Sequence, residues 1–150
     1  MVCALLLAAC DQREVENVVK VSDVKTGWHD AGIVDGQNKL VPTVTFHLQN
    51  VTVDPIDGVQ VNVVFRQVND DRAWGDRLIR GVGSDGLAGG ASTGALVVRS
   101  PRGYTGAQPR TEMLKNKEFV DVKVDLFARH GSRTWQKIGE FPIERQLLTE

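Results

Sequence analysis

Cysteine is nearly absent from this chain of 150 residues: there are two, Cys3 and Cys10, both among the first ten positions. The rest has no disulfide to staple it, no thiol nucleophile and no cysteine metal site. Histidine is almost as scarce, with His29, His47 and His130. None falls in a His-x-His or His-Glu-x-x-His spacing, so no compact zinc motif exists and only convergence in space is left. Net charge is -1, which gives neither the electrostatic footprint of a nucleic-acid binder nor a basic membrane-binding face. There is no Gly-x-Ser-x-Gly elbow. The glycine-rich stretch Gly81 to Gly94 has no lysine after it and leads into a strand pattern, so it is not a phosphate loop. No cofactor is expected, and nothing in the spacing points to an enzyme.

What is present is a series of period-two runs. Val44, Phe46 and Leu48 alternate with Thr45, His47 and Gln49, the pattern of a half-buried strand. Val59, Val61, Val63 and Phe65 form one face of the next run, and its β-branched residues argue against helix. Phe119 to Phe127 alternates through Val120, Val122, Val124 and Leu126. Further strands are expected over Val18 to Val24, Arg72 to Gly81, Ala95 to Arg99 and Trp135 to Ile143. Pro142 suggests an edge position or a strand end. Asp35-Gly36, Asp54-Pro55, Asp57-Gly58 and His130-Gly131 are turn signals. Thr111 is a candidate N-cap for one helical turn. About seven to eight strands at roughly ten-residue spacing predict one domain, all-β, an immunoglobulin-like antiparallel β-sandwich; a closed barrel is the main rival. The expected core is Val44, Phe46, Leu48, Val61, Val63, Phe65, Val122, Val124 and Leu126.

The N-terminus carries a different kind of signal. An apolar run closes in Leu7-Ala8-Ala9-Cys10, and Asp11-Gln12 turns polar at once. This resembles the lipobox of bacterial lipoproteins. The resemblance implies diacylglyceryl on the Cys10 sulfur and cleavage just before it. The small residues Ala8 and Ala9 suit close approach by a peptidase. The apolar run is shorter than the roughly 20 residues a spanning helix needs, whereas acyl chains contribute about 0.8 kcal/mol per buried methylene. The alternative is a chance apolar start on a cytosolic domain. No positive segment precedes Cys10, so the natural start is expected upstream. The division expected is 1–9 a signal segment, 10–17 the lipidated cysteine and a short tether, and 18–150 the sandwich. Asp11 resembles the inner-membrane retention signal of enterobacterial lipoproteins. The expected location is the periplasmic face of a bacterial membrane, held by lipid on Cys10.

A second resemblance lies within the strands. Val44 to Asn50, then Pro55-Ile56-Asp57-Gly58, then Val59 to Phe65 is similar to the FxLYD domain and the related late-embryogenesis-abundant-like domains. Leu87 to Ser92, ahead of Ala95 to Val98, resembles the Gly-x-Ser turn of that family. Leu126-Phe127-Ala128-Arg129 is a loose echo of its name-giving motif. The resemblance implies an extracytoplasmic sandwich and brings no catalytic residue with it.

His29-Asp30 with Ser84 or Ser92 could be part of a triad, but Ser84-Asp85 between glycines reads as turn chemistry. Asp54, Asp57, Asp70, Asp71, Asp76 and Asp85 lie in turn regions without calcium-loop spacing. Gly81 to Gly94 is mostly small residues and reads as a spacer or a mobile connection. Ser100 to Lys117 reads as a second long loop with better side chains for binding: Arg102, Tyr104 and Arg110, a mix enriched in hot spots. With Trp74 exposed beside Tyr104 they would make a contact patch; the plainer reading is a tyrosine folded back on its own loop. The expected function is a lipid-anchored module that binds another envelope protein or serves a membrane complex. A glycan or small-ligand binder is the alternative, and a hydrolase or metal-dependent enzyme a third.

Overall fold

The computed structural model describes residues 14–149. Cys10, the lipobox and the cleavage site lie outside the described residues. The alternating runs become eight strands: β1 Val19–Val34, β2 Gln37–Asn50, β3 Val59–Gln67, β4 Gly75–Val82, β5 Leu96–Arg99, β6 Tyr104–Gly106, β7 Val122–His130 and β8 Gln136–Pro142. They form two antiparallel sheets. In one, β2 pairs with β1 along one side and with both β5 and β6 along the other; the second sheet has the order β4-β3-β7-β8. The protein is an all-β sandwich of two antiparallel sheets.

Period two places alternate side chains on opposite faces of each strand. All nine core residues expected from the alternation are at most 1% exposed. Phe46 and Leu48 of one sheet belong to the same buried cluster as Phe65, Val124 and Leu126 of the other. Asp35 and Gly36 both have positive φ, 51° and 78°. That is the geometry of a tight hairpin whose twist matches its strands, and it joins β1 to β2. Pro142 ends β8, an edge strand.

Several boundaries differ from expectation. Val18 to Val24 and the stretch around Trp28 are one strand, because β-bulges between Ser22 and Lys25 and between Asp30 and Ile33 absorb the breaks in alternation. Strand β4 starts at Gly75, not Arg72. Strand β7 starts at Val122, and Phe119 instead packs as a buried side chain ahead of it. Trp135 precedes β8. Ser100 to Lys117 is not one loop: it contains β6 and the short helix α1, Arg110–Lys115. Thr111 does not cap that helix. Pro109 occupies the cap, and its carbonyl accepts from the amides of Glu112 and Met113. Packing also reaches into the segment read as tether, since Val15, in a 3-10 turn over Val15–Asn17, is buried in the main cluster.

The strands give the sandwich two distinct ends. At one lie the 3-10 turn, the β2–β3 and β4–β5 connections and the β7–β8 hairpin. Val51 bonds to Val18, Ile56 to Leu87 and Gly131 to Gly58 there. At the other lie the β3–β4 turn, Ser100 to Gly103, α1 and Phe119 to Asp121, where Val68 bonds to Asp121 and Trp74 to Phe65. The nine residues of β3 separate the two by roughly 26 Å at about 3.3 Å per residue.

Candidate functional site

Tyr104 is the pivot of the second end. It lies on β6 because Lys39 and Leu40 of β2 pair with Thr105 and Tyr104. A Cβ at Gly103 would collide with the Leu40 carbonyl oxygen, so glycine permits that approach. The Tyr104 ring stacks at 5.6 Å on Trp28, 4.8 Å on Phe119 and 5.1 Å on Trp74. Trp28 meets Phe119 edge-on at 4.7 Å. Such pairs add about 0.5–1.5 kcal/mol each beyond area burial. The Tyr104 hydroxyl accepts from the Gln67 amide at 2.7 Å and donates to the Val120 carbonyl at 3.1 Å. Burial raises its pKa above the usual 10.0, with the Gln67 hydrogen bond opposing and Asp121 reinforcing the shift. Tyr104 is therefore a packing residue that locks β3, β6 and the β7 approach together. It is half-buried rather than displayed.

Arg145 closes the cluster from outside. Its guanidinium lies 5.2 Å from the Phe119 ring centre and donates to the Phe119 carbonyl at 2.9 Å and to Asp121 at 2.7 Å. The C-terminal segment runs beside β1, where Leu147 forms a parallel bridge with Trp28. Trp28 bonds to Gln146, and Leu148 to Trp28.

The structure brings Trp74 and Arg102 together and takes Arg110 away. Trp74, Arg102, Arg72, Asp70 and Gln67 line a polar cleft of about 270 Å³. Asp70 organises its rim. Its carboxylate accepts from the Arg72 amide at 3.0 Å and pairs with the guanidinium at 3.0 Å. Those hydrogen bonds hold the Asp70 carboxyl below its usual pKa. Arg102 is exposed, with its amide held by Ser100 Oγ at 3.2 Å. Arg110, at the start of α1, is paired with Asp30 of β1 at 2.6 Å. The Gly32 amide first, and Arg110 second, hold the Asp30 carboxyl below its usual value. The expected Arg102-Tyr104-Arg110 surface thus resolves into one exposed arginine, one packing tyrosine and one arginine tied to a neighbouring strand. Arg72, Gln67 and Asp70 were not foreseen as part of it. The Asp70-Asp71-Arg72 run carries the signal of a turn, and nothing local says that this turn closes over Trp74.

The histidines do not converge on one sheet end. His29 pairs with Val41 on the β1–β2 ladder and His47 with Ser22, six positions along β2 and so about 20 Å apart. His47 Nδ1 lies 2.8 Å from the Thr93 carbonyl oxygen, and His130 sits opposite Val59 in the other sheet. Among the described residues no group of three or more His, Cys, Asp or Glu could hold a metal. His29-Asp30 lies toward one end and Ser84 and Ser92 at the other, so they do not assemble a triad.

The first end is built around a residue with no ordinary site signature. Asn50, 0% exposed, ends β2. Its amide donates to the carbonyls of Asp54 at 2.8 Å and Leu87 at 3.0 Å. Its Oδ1 accepts from the Thr52 amide at 2.9 Å and hydroxyl at 2.7 Å. The Gly81 to Gly94 connection, expected as a spacer or mobile segment, is instead bonded to this hub. Asn50 bonds to Ala91, Gly90 to Asn50 and Thr93 to Leu48. A larger cleft of about 450 Å³ also lies at this end, between Asp57, Arg80, Ser84 and Gly131. It has no aromatic lining.

No protein-family model and no curated protein matches the chain. Among solved structures it is similar to one described as the X-ray structure of Northeast Structural Genomics Consortium target SoR45. The identity is 12%, over 86% of this chain and 88% of that one, with a TM-score of 0.46.

Proposed function

We propose that the chain is a lipid-anchored envelope lipoprotein of FxLYD-like type, a non-enzymatic module that binds another envelope protein or serves a membrane complex. Lipid on Cys10 holds it to the periplasmic face of a bacterial membrane, with Asp11 favouring the inner one. One observation carries the reading. Glu14 is pinned at one end of the sandwich, while the Trp74–Arg102 cleft lies at the other. Glu14 accepts from the Gln136 side chain at 2.6 Å, and the Glu16 amide donates back to it at 3.2 Å. An anchor at Cys10 therefore leaves the Arg72, Trp74 and Arg102 surface turned away from the bilayer, where partners are met. Arginine and tryptophan are the side chains that dominate protein contacts. The cleft is smaller than the roughly 300–1,000 Å³ of small-molecule pockets, which favours a protein contact over the glycan or small-ligand alternative.

Two measurements test this. The membrane-extracted protein should show a diacylglyceryl-modified Cys10 as its first residue by mass spectrometry; an unmodified Cys10 with Met1 still attached rejects the anchor. Pull-downs from native membranes should lose partners with Arg102→Ala and Arg72→Ala, both on exposed side chains. An unchanged partner set with both variants rejects the contact surface.

A further inference from the structure

The end of the sandwich to which Glu14 is fastened displays apolar side chains that the fold itself does not use. Val53 is 93% exposed and Val51 49% exposed. They are not on a slack loop. The Asn50 side chain holds both sides of the turn, through Thr52 and Asp54. Behind it, a Cβ at Gly89 would collide with the Val53 carbonyl oxygen, so the β4–β5 connection presses on the turn from within. The result is a fixed loop with an isopropyl group pointing outward. Beside it, at the β7–β8 hairpin, half-buried Trp135 carries the Arg129 guanidinium 4.7 Å from its ring centre. Tryptophan with a basic partner is the side-chain chemistry that favours the level of lipid headgroups.

Chain length says what covers this end. From Cys10 to Glu14 is four residue steps, at most about 14 Å fully extended. Glu14 is fastened to Gln136 at this same end. On the reading that Cys10 is acylated, the bilayer surface lies within that reach of Glu14, at the end that carries Val53 and Trp135. The cleft at the far end is roughly 26 Å further along β3. A tether this short keeps the effective concentration of the loop at the surface high, so a weak apolar contact suffices. Asp54, Asp57 and Asp85 share this end, which sets the contact at headgroup depth and not in the acyl core. We infer that the Val51–Val53 turn and the Trp135 hairpin form a membrane-contact face, seated among phospholipid headgroups, which holds the sandwich upright.

The test uses the full chain made in a bacterial host that acylates lipoproteins and reconstituted in phosphatidylethanolamine–phosphatidylglycerol vesicles. A thiol-reactive fluorophore is placed by Val53→Cys, and in a second protein by Ile33→Cys at the exposed β1–β2 hairpin tip. Val51→Cys serves as an independent probe of the same face. The vesicles carry a nitroxide on the lipid headgroup. The fluorophores at Val53 and Val51 should lose most of their emission, and that at Ile33 should keep its own. Equal retention at all three, or equal loss at all three as for a molecule lying flat, overturns the inference. Intact mass of the same samples reports acylation of Cys10 separately. An acylated protein without selective quenching overturns the contact face alone, and an unacylated one overturns the anchor and the face together.

Discussion

Replacing Asn50 by alanine should destabilise the fold far more than a turn residue ordinarily does. The side chain is 0% exposed and makes four hydrogen bonds. A neutral hydrogen bond contributes about 1 kcal/mol net, and an orphaned buried partner costs about 1–3 kcal/mol. The Thr52 hydroxyl has a second acceptor, the Asp54 carbonyl at 2.9 Å, so its loss is small. The Thr52 amide loses its partner, while the Asp54 and Leu87 carbonyls each lose one donor of two and keep the Thr52 hydroxyl and the Ile56 amide, at about 1 kcal/mol for each bond lost. Their sum is about 3 kcal/mol, or very roughly 10 °C in Tm for a domain of this size. Urea unfolding followed by tryptophan fluorescence measures it. Asn50→Asp is the sharper comparison. It keeps the acceptor for Thr52 but aims a carboxylate oxygen at the two carbonyls, so it should be at least as damaging as alanine. A loss under about 1 kcal/mol for alanine, or a wild-type midpoint for the aspartate variant, would refute the assignment of Asn50 as the hub.

Three other outcomes follow from the same structure. Tyr104 is the sole tyrosine, so phenolate absorbance reports it directly; its midpoint should lie above the usual 10.0 when folded and return to about 10 in denaturant. Because the folded pKa is raised, this group's contribution is intact below the unfolded pKa and is lost as pH climbs through the folded one. Stability should therefore drop more steeply above about pH 10 in the native protein than in Tyr104→Phe. Phe46→Ala, at a 0% exposed site, should cost about 3–5 kcal/mol in the same urea assay. Arg110→Ala breaks a pair whose side chains are 30% and 43% exposed; it should shift stability by about 1 kcal/mol or less and leave the partner set unchanged.

Two stretches far apart in the sequence meet in space at the Asn50 hub. Val44 to Asn50 with its following turn, and Leu87 to Ser92, pack against each other through Asn50, the Ile56–Leu87 bridge and the Gln49–Ser92 bridge. Glycine at position 89 and asparagine at position 50 thus answer one local requirement, a tight crossing of two loops at the end of a sheet. Burying a carboxamide there is tolerable because both its N–H donors and both lone pairs of its oxygen are used.

The sequence by itself determined the strands and their inward faces. Alternation is a property of the extended backbone, so Val44-Phe46-Leu48, Val61-Val63-Phe65 and Val122-Val124-Leu126 declare their buried side without reference to any neighbour. The Asp35-Gly36 hairpin was legible for the same reason, since positive φ is a local demand. Tertiary structure alone decided which strands pair, and with that the sites. Tyr104 sits in a stretch of prolines and glycines that reads as loop, and becomes a strand only because Leu40, 64 positions earlier, supplies the partner. The expected trio of Arg102, Tyr104 and Arg110 came apart because Asp30 and the Trp28–Phe119 cluster claim two of its members. Gln67, Arg72 and Trp74 share the β3–β4 hairpin, and Arg102 reaches them only because the chain after β5 folds back to the same end. The role of Asn50 exists only once three backbone groups and a threonine hydroxyl from two loops surround it. Periodicity is set within a few residues, whereas long-range pairing is settled by which whole arrangement buries the most apolar surface with its polar groups satisfied.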